Sequence, residues 1–207
     1  MRAPIDALVR RYARGQARDV APWIVGRRVL DLGAGEGYVA DVLRGPDRLV
    51  YGVDVGAFRR ARIRYTVYDG AHLPFADDVF DTTLLLLVLH HCAQPEAVLD
   101  EALRVTRQRL IVTESVHRNR RDLFWLRLLD ARLNRFRHGG GMPPPTHFRP
   151  PRDWATLFAS RDLRPAAIRW LGSPLERLVH HPVLWALTVP PAAERPRADG
   201  ARGGRPG

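Results

Sequence analysis

Apolar positions recur along this chain in two rhythms, helical and strand-like, and their alternation predicts an α/β fold. Within Ala3–Tyr12, residues Ile5, Leu8, Val9 and Tyr12 fall on one helical face. Val29–Leu32 is a strand pattern that ends in Gly-Ala-Gly-Glu-Gly, and a helix over Tyr38–Leu43 follows until Gly45-Pro46 stops it. Leu49–Val53 reads as a strand ending at Asp54, Phe58–Ile63 as a short helix, and Arg64–Tyr68 as a strand ending at Asp69-Gly70. Thr82–Leu89 is a continuous run, the pattern of a strand buried on both faces. Pro95–Val105 is then helical and Arg109–Thr113 a further strand. Strict alternation of this kind implies right-handed crossovers and a parallel sheet.

After Glu114 the pattern changes. Asp122–Phe136 is an arginine-rich amphipathic helix carrying Phe124, Trp125, Leu128, Leu129, Leu133 and Phe136, followed by a Gly/Pro connector over 138–145. Three uses of that helix are open: packing on the core with solvated arginines, a lid hinged at Gly139-Gly140-Gly141, or contact with anionic lipid. A helix over Pro151–Ser160 and strands over Ala166–Leu171 and Val183–Val189 complete the pattern. The expected organisation is one domain over residues 1–189, with 116–148 as lid or insert. Pro190–Gly207, rich in Pro, Gly, Arg and Ala, reads as a disordered tail.

Composition narrows the setting. A chain of 207 residues with 45% apolar and 27% charged residues can bury a full core. No apolar run reaches membrane-spanning length, and Met1–Tyr12 lacks the apolar centre of a signal peptide. With Cys92 as the one cysteine, the expected compartment is the cytoplasm. All 33 basic residues are arginine, which points to codon bias. The sign is nevertheless uneven: residues 1–115 hold 16 arginines against 15 acids, and residues 116–207 hold 17 against 7. Nucleic acid or an anionic membrane surface is therefore an alternative partner for the second half.

The candidate chemistry lies in Val29-Leu-Asp-Leu-Gly-Ala-Gly-Glu-Gly37. Gly33, Gly35 and Gly37 let the backbone turn sharply beside a ligand. Asp54 ends the next strand, 21 residues after Gly33, where a carboxylate can accept from both ribose hydroxyls, and Asp69 ends the strand after that. A dinucleotide fingerprint would put glycine at position 38, which is Tyr38, and would keep an apolar residue where Asp31 stands.

The pattern D-x-G-x-G-x-G from Asp31 resembles the first motif of class I S-adenosylmethionine-dependent methyltransferases. The stretch Asp69-Gly-Ala-His-Leu-Pro-Phe-Ala-Asp-Asp-Val-Phe-Asp81 and Leu87-Val-Leu-His-His91 resemble their small-molecule branch, which contains the ubiquinone/menaquinone C-methyltransferases. The resemblance implies a Rossmann-like seven-stranded sheet, order 3-2-1-4-5-7-6, with helices on both faces. It implies S-adenosylmethionine as methyl donor, with Gly33, Gly35 and Gly37 around its methionine part and Asp31 near its amino group. Asp54 would bind the ribose, Asp69 the adenine amine, Gly70-Ala71 would flank the ring, and the backbone near Leu85 and Leu86 would close the methionine side. His90 and His91 would lie on the acceptor side, where a histidine suits base assistance to an in-line displacement; they can equally orient a loop. The run His91–Glu96 supplies one carboxylate, so a metal-independent transfer to a small, apolar or phenolic acceptor is expected. A cofactor-binding protein without turnover is the alternative within this fold.

Overall fold

The computed structural model describes residues 3–138, 147–172 and 181–195; the lid hinge expected at Gly139–Gly141 lies outside them. In chain order the elements are α1 (Ala3–Val20), β1 (Arg28–Leu32), α2 (Tyr38–Leu43), β2 (Leu49–Asp54), β3 (Arg64–Val67), β4 (Phe80–Leu86), α3 (Pro95–Val105), β5 (Thr106–Ser115), α4 (Arg120–His138), α5 (Pro151–Ala159), β6 (Arg164–Trp170) and β7 (Pro182–Thr188). The sheet has seven strands in the order 3-2-1-4-5-7-6. Strands β1 to β5 are parallel, and β7 runs antiparallel to both β5 and β6.

Strand periodicity sorts the core into two layers. From β5, Leu110 and Val112 face one side and Ile111 the other; from β7, Val183, Trp185 and Leu187 oppose Leu184 and Ala186 in the same way. One layer packs under α3 and α5 through Leu99, Ala102, Trp154 and Phe158. The other packs under α1 and α2 through Ala13, Ala17, Val20, Val39 and Leu43. Both faces of the sheet are covered, so β4 and β5 read as continuous rather than alternating runs.

Several elements depart from the sequence pattern. α1 extends to Val20, because Ala13, Ala17 and Val20 continue its buried stripe. Phe58–Ile63 is not helical: the amides of Arg60 and Ala61 donate to the Glu36 carbonyl, so this segment is fastened to the glycine loop. β4 stops at Leu86, since Leu87 adopts a left-handed backbone (φ 61°) and its amide turns to the Thr113 carbonyl. A 3-10 turn over Leu89–His91 follows.

The expected disordered tail is corrected at its start. Ala192–Glu194 forms a 3-10 turn, and Arg195 donates to the carbonyls of Pro190, Leu103 and Thr106 and to Asp78. The reason is that a guanidinium carries five donors in a fixed fork, which suits it to a cluster of orphan carbonyls. Among the described apolar side chains of α4, Leu126 is buried and Leu123 partly so, while Phe124, Trp125, Leu128 and Leu129 are exposed.

Candidate functional site

The carboxyl ends of β1, β2, β4 and β5 open into one cleft, lined there by Asp31, Gly35, Asp54, Leu86 and Ser115. It lies where the strand order reverses between β1 and β4, the place where open parallel sheets bind ligands.

One end of the cleft is built by the loop after β1. The amides of Gly33 and Ala34 donate to the Val53 carbonyl at 2.8 and 3.0 Å, which folds the loop across β2. Gly33 has φ +78°, and a Cβ there would lie 2.4 Å from Val88 Cγ2, so a side chain is excluded by conformation and by space. Gly35 (φ +52°) differs: a Cβ on it would meet nothing within 4 Å, because its missing side chain faces the open cleft. Asp54, mostly buried, accepts from the Gly35 amide through Oδ2 (2.8 Å) and from the Val55 amide through Oδ1 (2.7 Å). Each oxygen keeps further acceptor capacity. Tyr65 stiffens the same corner by donating its hydroxyl to the Gly56 carbonyl at 2.8 Å.

Asp31 sits beneath this loop, 2% exposed, and its Oδ2 has no hydrogen-bond partner among the described residues. Burial, joined by the nearby Asp54 charge, pushes its carboxyl up to about 7, against a hydrogen bond from the Ala40 backbone. A buried acid held in this way is poised to receive a cationic group.

Asp69 is exposed at the far rim. Its Oδ1 accepts from the Ala71 and His72 amides, both at 2.8 Å, and these bonds hold the carboxyl below its usual range. Gly70, Ala71 and Leu86 line the same cleft. Leu85 instead points into the core, fully buried. Tyr38 latches α1: its hydroxyl donates to Asp6, and Arg10 lies 4.2 Å over its ring.

The opposite end is apolar and carries the two histidines in unlike settings. His90 is 1% exposed, its Nδ1 2.5 Å from Glu114 Oε2, and its ring stacks on Phe148 with centroids 4.7 Å apart. The His90 carbonyl also accepts from the His147 amide, which fixes the chain where it returns from residues 139–146. His91 is half-buried on the cleft wall. Cys92 is packed beside them, and burial pushes its thiol up to about 12, which keeps it protonated. Glu114, Ser115, Phe148, Leu126 and Tyr12 complete this end without having been singled out from the sequence. The available signal for Glu114 was a lone acid closing an apolar strand. Among the described residues no cluster of three or more His, Cys, Asp or Glu can hold a metal ion.

Comparison with known proteins agrees with this geometry. Residues 30–111 match the family model described as a methyltransferase domain. A demethylmenaquinone methyltransferase of Paenarthrobacter aurescens (strain TC1) is 35% identical over 102 residues, 45% of this chain and 40% of the relative. One from Renibacterium salmoninarum is 33% identical over 108 residues, 48% of this chain and 46% of the relative. The match thus spans less than half the length of these relatives. Among solved structures, a complex of a Haloferax volcanii methyltransferase with its activator superposes with a TM-score of 0.70 at 16% identity, covering 91% of this chain and 93% of that one. Magnesium protoporphyrin IX methyltransferase from Synechocystis PCC 6803 gives 0.63 at 18% identity, covering 87% and 84%. At those identities the structures share the fold.

Proposed function

We propose that this chain, whose residues 30–111 match a methyltransferase-domain model, is a class I S-adenosylmethionine-dependent methyltransferase that transfers a methyl group from S-adenosylmethionine to a small, apolar or phenolic acceptor such as a quinol. The observation that carries the reading is the buried Asp31 carboxylate with an unpartnered Oδ2 beneath a loop whose Gly35 faces open space. An amino-acid ammonium is the cation that such a site would pair, and a dinucleotide offers none.

The residues fit the donor from end to end. Gly33, Gly35 and Gly37 would follow the methionine moiety, with Asp31 on its ammonium and the backbone at Leu86 closing that side. Asp54 would accept from the ribose hydroxyls with the capacity left beside Gly35 and Val55. Asp69 would take the adenine amine at the rim, with Gly70 and Ala71 beside the ring. When bound, the sulfonium supplies an electrophilic methyl group and leaves as a neutral thioether.

The rest falls to positioning and to water exclusion. Tyr12, Leu126, Leu129 and Phe148 would hold an apolar acceptor against the donor end. His91, on the cleft wall, is placed to take the acceptor's proton. His90, locked between Glu114 and Phe148, would instead hold the turn that aims His91. The demethylmenaquinone methyltransferases among the relatives favour a quinol as the first acceptor to try.

The test is calorimetric titration of the purified protein with S-adenosylhomocysteine, with NAD as comparison and Asp54→Ala as control. Selective binding that the substitution weakens at least tenfold is expected. No binding by demonstrably folded protein, or equal binding of NAD, would overturn the reading. Turnover is then sought with quinols and phenols.

A further inference from the structure

We infer that α4 and the adjoining cleft mouth dock on an anionic lipid surface. Phe124 and Trp125 are 61% and 48% exposed, and Leu128 and Leu129, 37% and 43% exposed, lie on the same side. Four aromatic and aliphatic side chains on two successive turns form a patch that water alone does not favour.

The charges around the patch select its occupant. Arg121 precedes Trp125 by four residues and Arg132 follows Leu128 by four, so each stands one turn away on the same face. Arg120 and Arg127 flank that face and are exposed too. The acid in the first turn, Asp122, is turned inward, accepting from the Arg118 amide and lying 3.5 Å from His181. Three arginines elsewhere in the second half are matched to acids: Arg149 to Glu96, Arg161 to Asp100 and Arg195 to Asp78. With six arginines against two acids, Asp122 and Asp130, α4 carries a local surplus of positive charge beside an apolar patch. Two copies meeting through this face would bring like charges together, whereas lipid phosphates complement them and acyl chains take up the rings.

The patch is also continuous with the cleft. Leu126 and Leu129 line it from α4, and Leu8 and Tyr12, both exposed, line it from α1. A surface engaged through α4 would place an opening with apolar walls against the acyl region, a route for an acceptor too apolar to travel through water. The lipid contact stands without the methyl-transfer reading; the delivery route rests on it.

Vesicle sedimentation of the full chain tests the contact, using phosphatidylglycerol/phosphatidylcholine vesicles against phosphatidylcholine alone, with Trp125→Glu/Leu128→Glu and Arg121→Glu/Arg127→Glu variants. None of these four side chains lines the cleft, so S-adenosylhomocysteine titration of each variant shows separately that the donor end is intact. Binding to the anionic vesicles that falls at least tenfold in either variant, and weakens at raised salt, is expected. Equal binding to phosphatidylcholine, binding that neither variant alters, or no binding together with self-association lost in the first variant would each overturn the proposal.

Discussion

Glu114 and His90 form a fully buried pair: one carboxylate oxygen accepts from the Leu89 amide at 2.8 Å and the other meets His90 Nδ1. A pair so enclosed separates the two histidines that stand side by side in sequence. Replacing His90 with Ala would strand a buried carboxylate oxygen, at a cost of about 3 kcal/mol. For a chain of this size the melting temperature should fall on the order of 10 °C. His91→Ala should leave melting within a few degrees and lower turnover by a factor of about 100, the scale of lost base assistance. Thermal melts paired with single-turnover rates check both, and full activity in His91→Ala would remove the assigned base.

Asp31 couples pH to ligand binding. Its carboxyl is raised in the folded state to about 7 from an ordinary 3.8, so the native protein holds a proton that the unfolded chain has released. The stability contributed is fully present below about 3.8 and is lost as pH climbs through about 7. The ligand-free protein should accordingly melt lower at pH 8 than at pH 5.5 on this account, and Asp31→Asn should flatten that dependence. An ammonium reverses the preference by favouring the ionised acid. Affinity for S-adenosylhomocysteine should therefore tighten between pH 5.5 and 8, with proton release visible in buffers of different ionisation enthalpy. A pH-independent affinity equal to that of Asp31→Asn would exclude contact with the ammonium.

Asp54 supports the loop as well as facing the cleft. Asp54→Asn retains an oxygen for the Gly35 amide but loses a charged acceptor. It should lower S-adenosylhomocysteine affinity about tenfold, the scale of one charge-assisted hydrogen bond, with a smaller change in melting than Asp54→Ala. Calorimetry and melts on both variants distinguish lost ligand contact from a collapsed loop.

Arg195 belongs to the opposite pole of the sheet, where β5 begins at Thr106 and α3 ends near Leu103. Arg195→Ala should cost about 2 kcal/mol by leaving part-buried carbonyls and Asp78 without their donor. A fall of several degrees in melting temperature with unchanged S-adenosylhomocysteine affinity is the expected result.

The sheet was readable from the sequence because both its faces are covered: Val29–Leu32 and Thr82–Leu85 are buried along their whole length and so read as short, mostly apolar runs between turn residues. The position of the glycine-loop end of the cleft was readable for a related reason. Gly33, Gly35, Asp54 and Asp69 are each placed by the strand that immediately precedes them, so local spacing contains the geometry. Phe58–Ile63 failed as a helix because its amides are claimed by Glu36, more than twenty residues upstream, and spacing holds no trace of that bond. Glu114 met the same obstacle, since its partners Leu89 and His90 arrive from the 3-10 turn that follows β4. Arg195 looked like part of a featureless tail for want of any large apolar residue, yet what anchors it is a set of backbone carbonyls, which composition does not display.

The position of β7 governs how the chain must assemble as it is synthesised. β7 is the last strand made, but it sits between β5 and β6 and pairs with each along nearly its full length. Until Pro182–Thr188 emerges, the outer edge of β5, a row of ladder groups flanking Leu110, Ile111 and Val112, has no neighbour. At ribosomal rates of roughly 5–20 residues per second that edge waits on the order of several seconds. A bare apolar edge is the surface on which nascent chains pair wrongly. The parallel half that carries the donor site can form early, while closure of the sheet depends on a strand that arrives last.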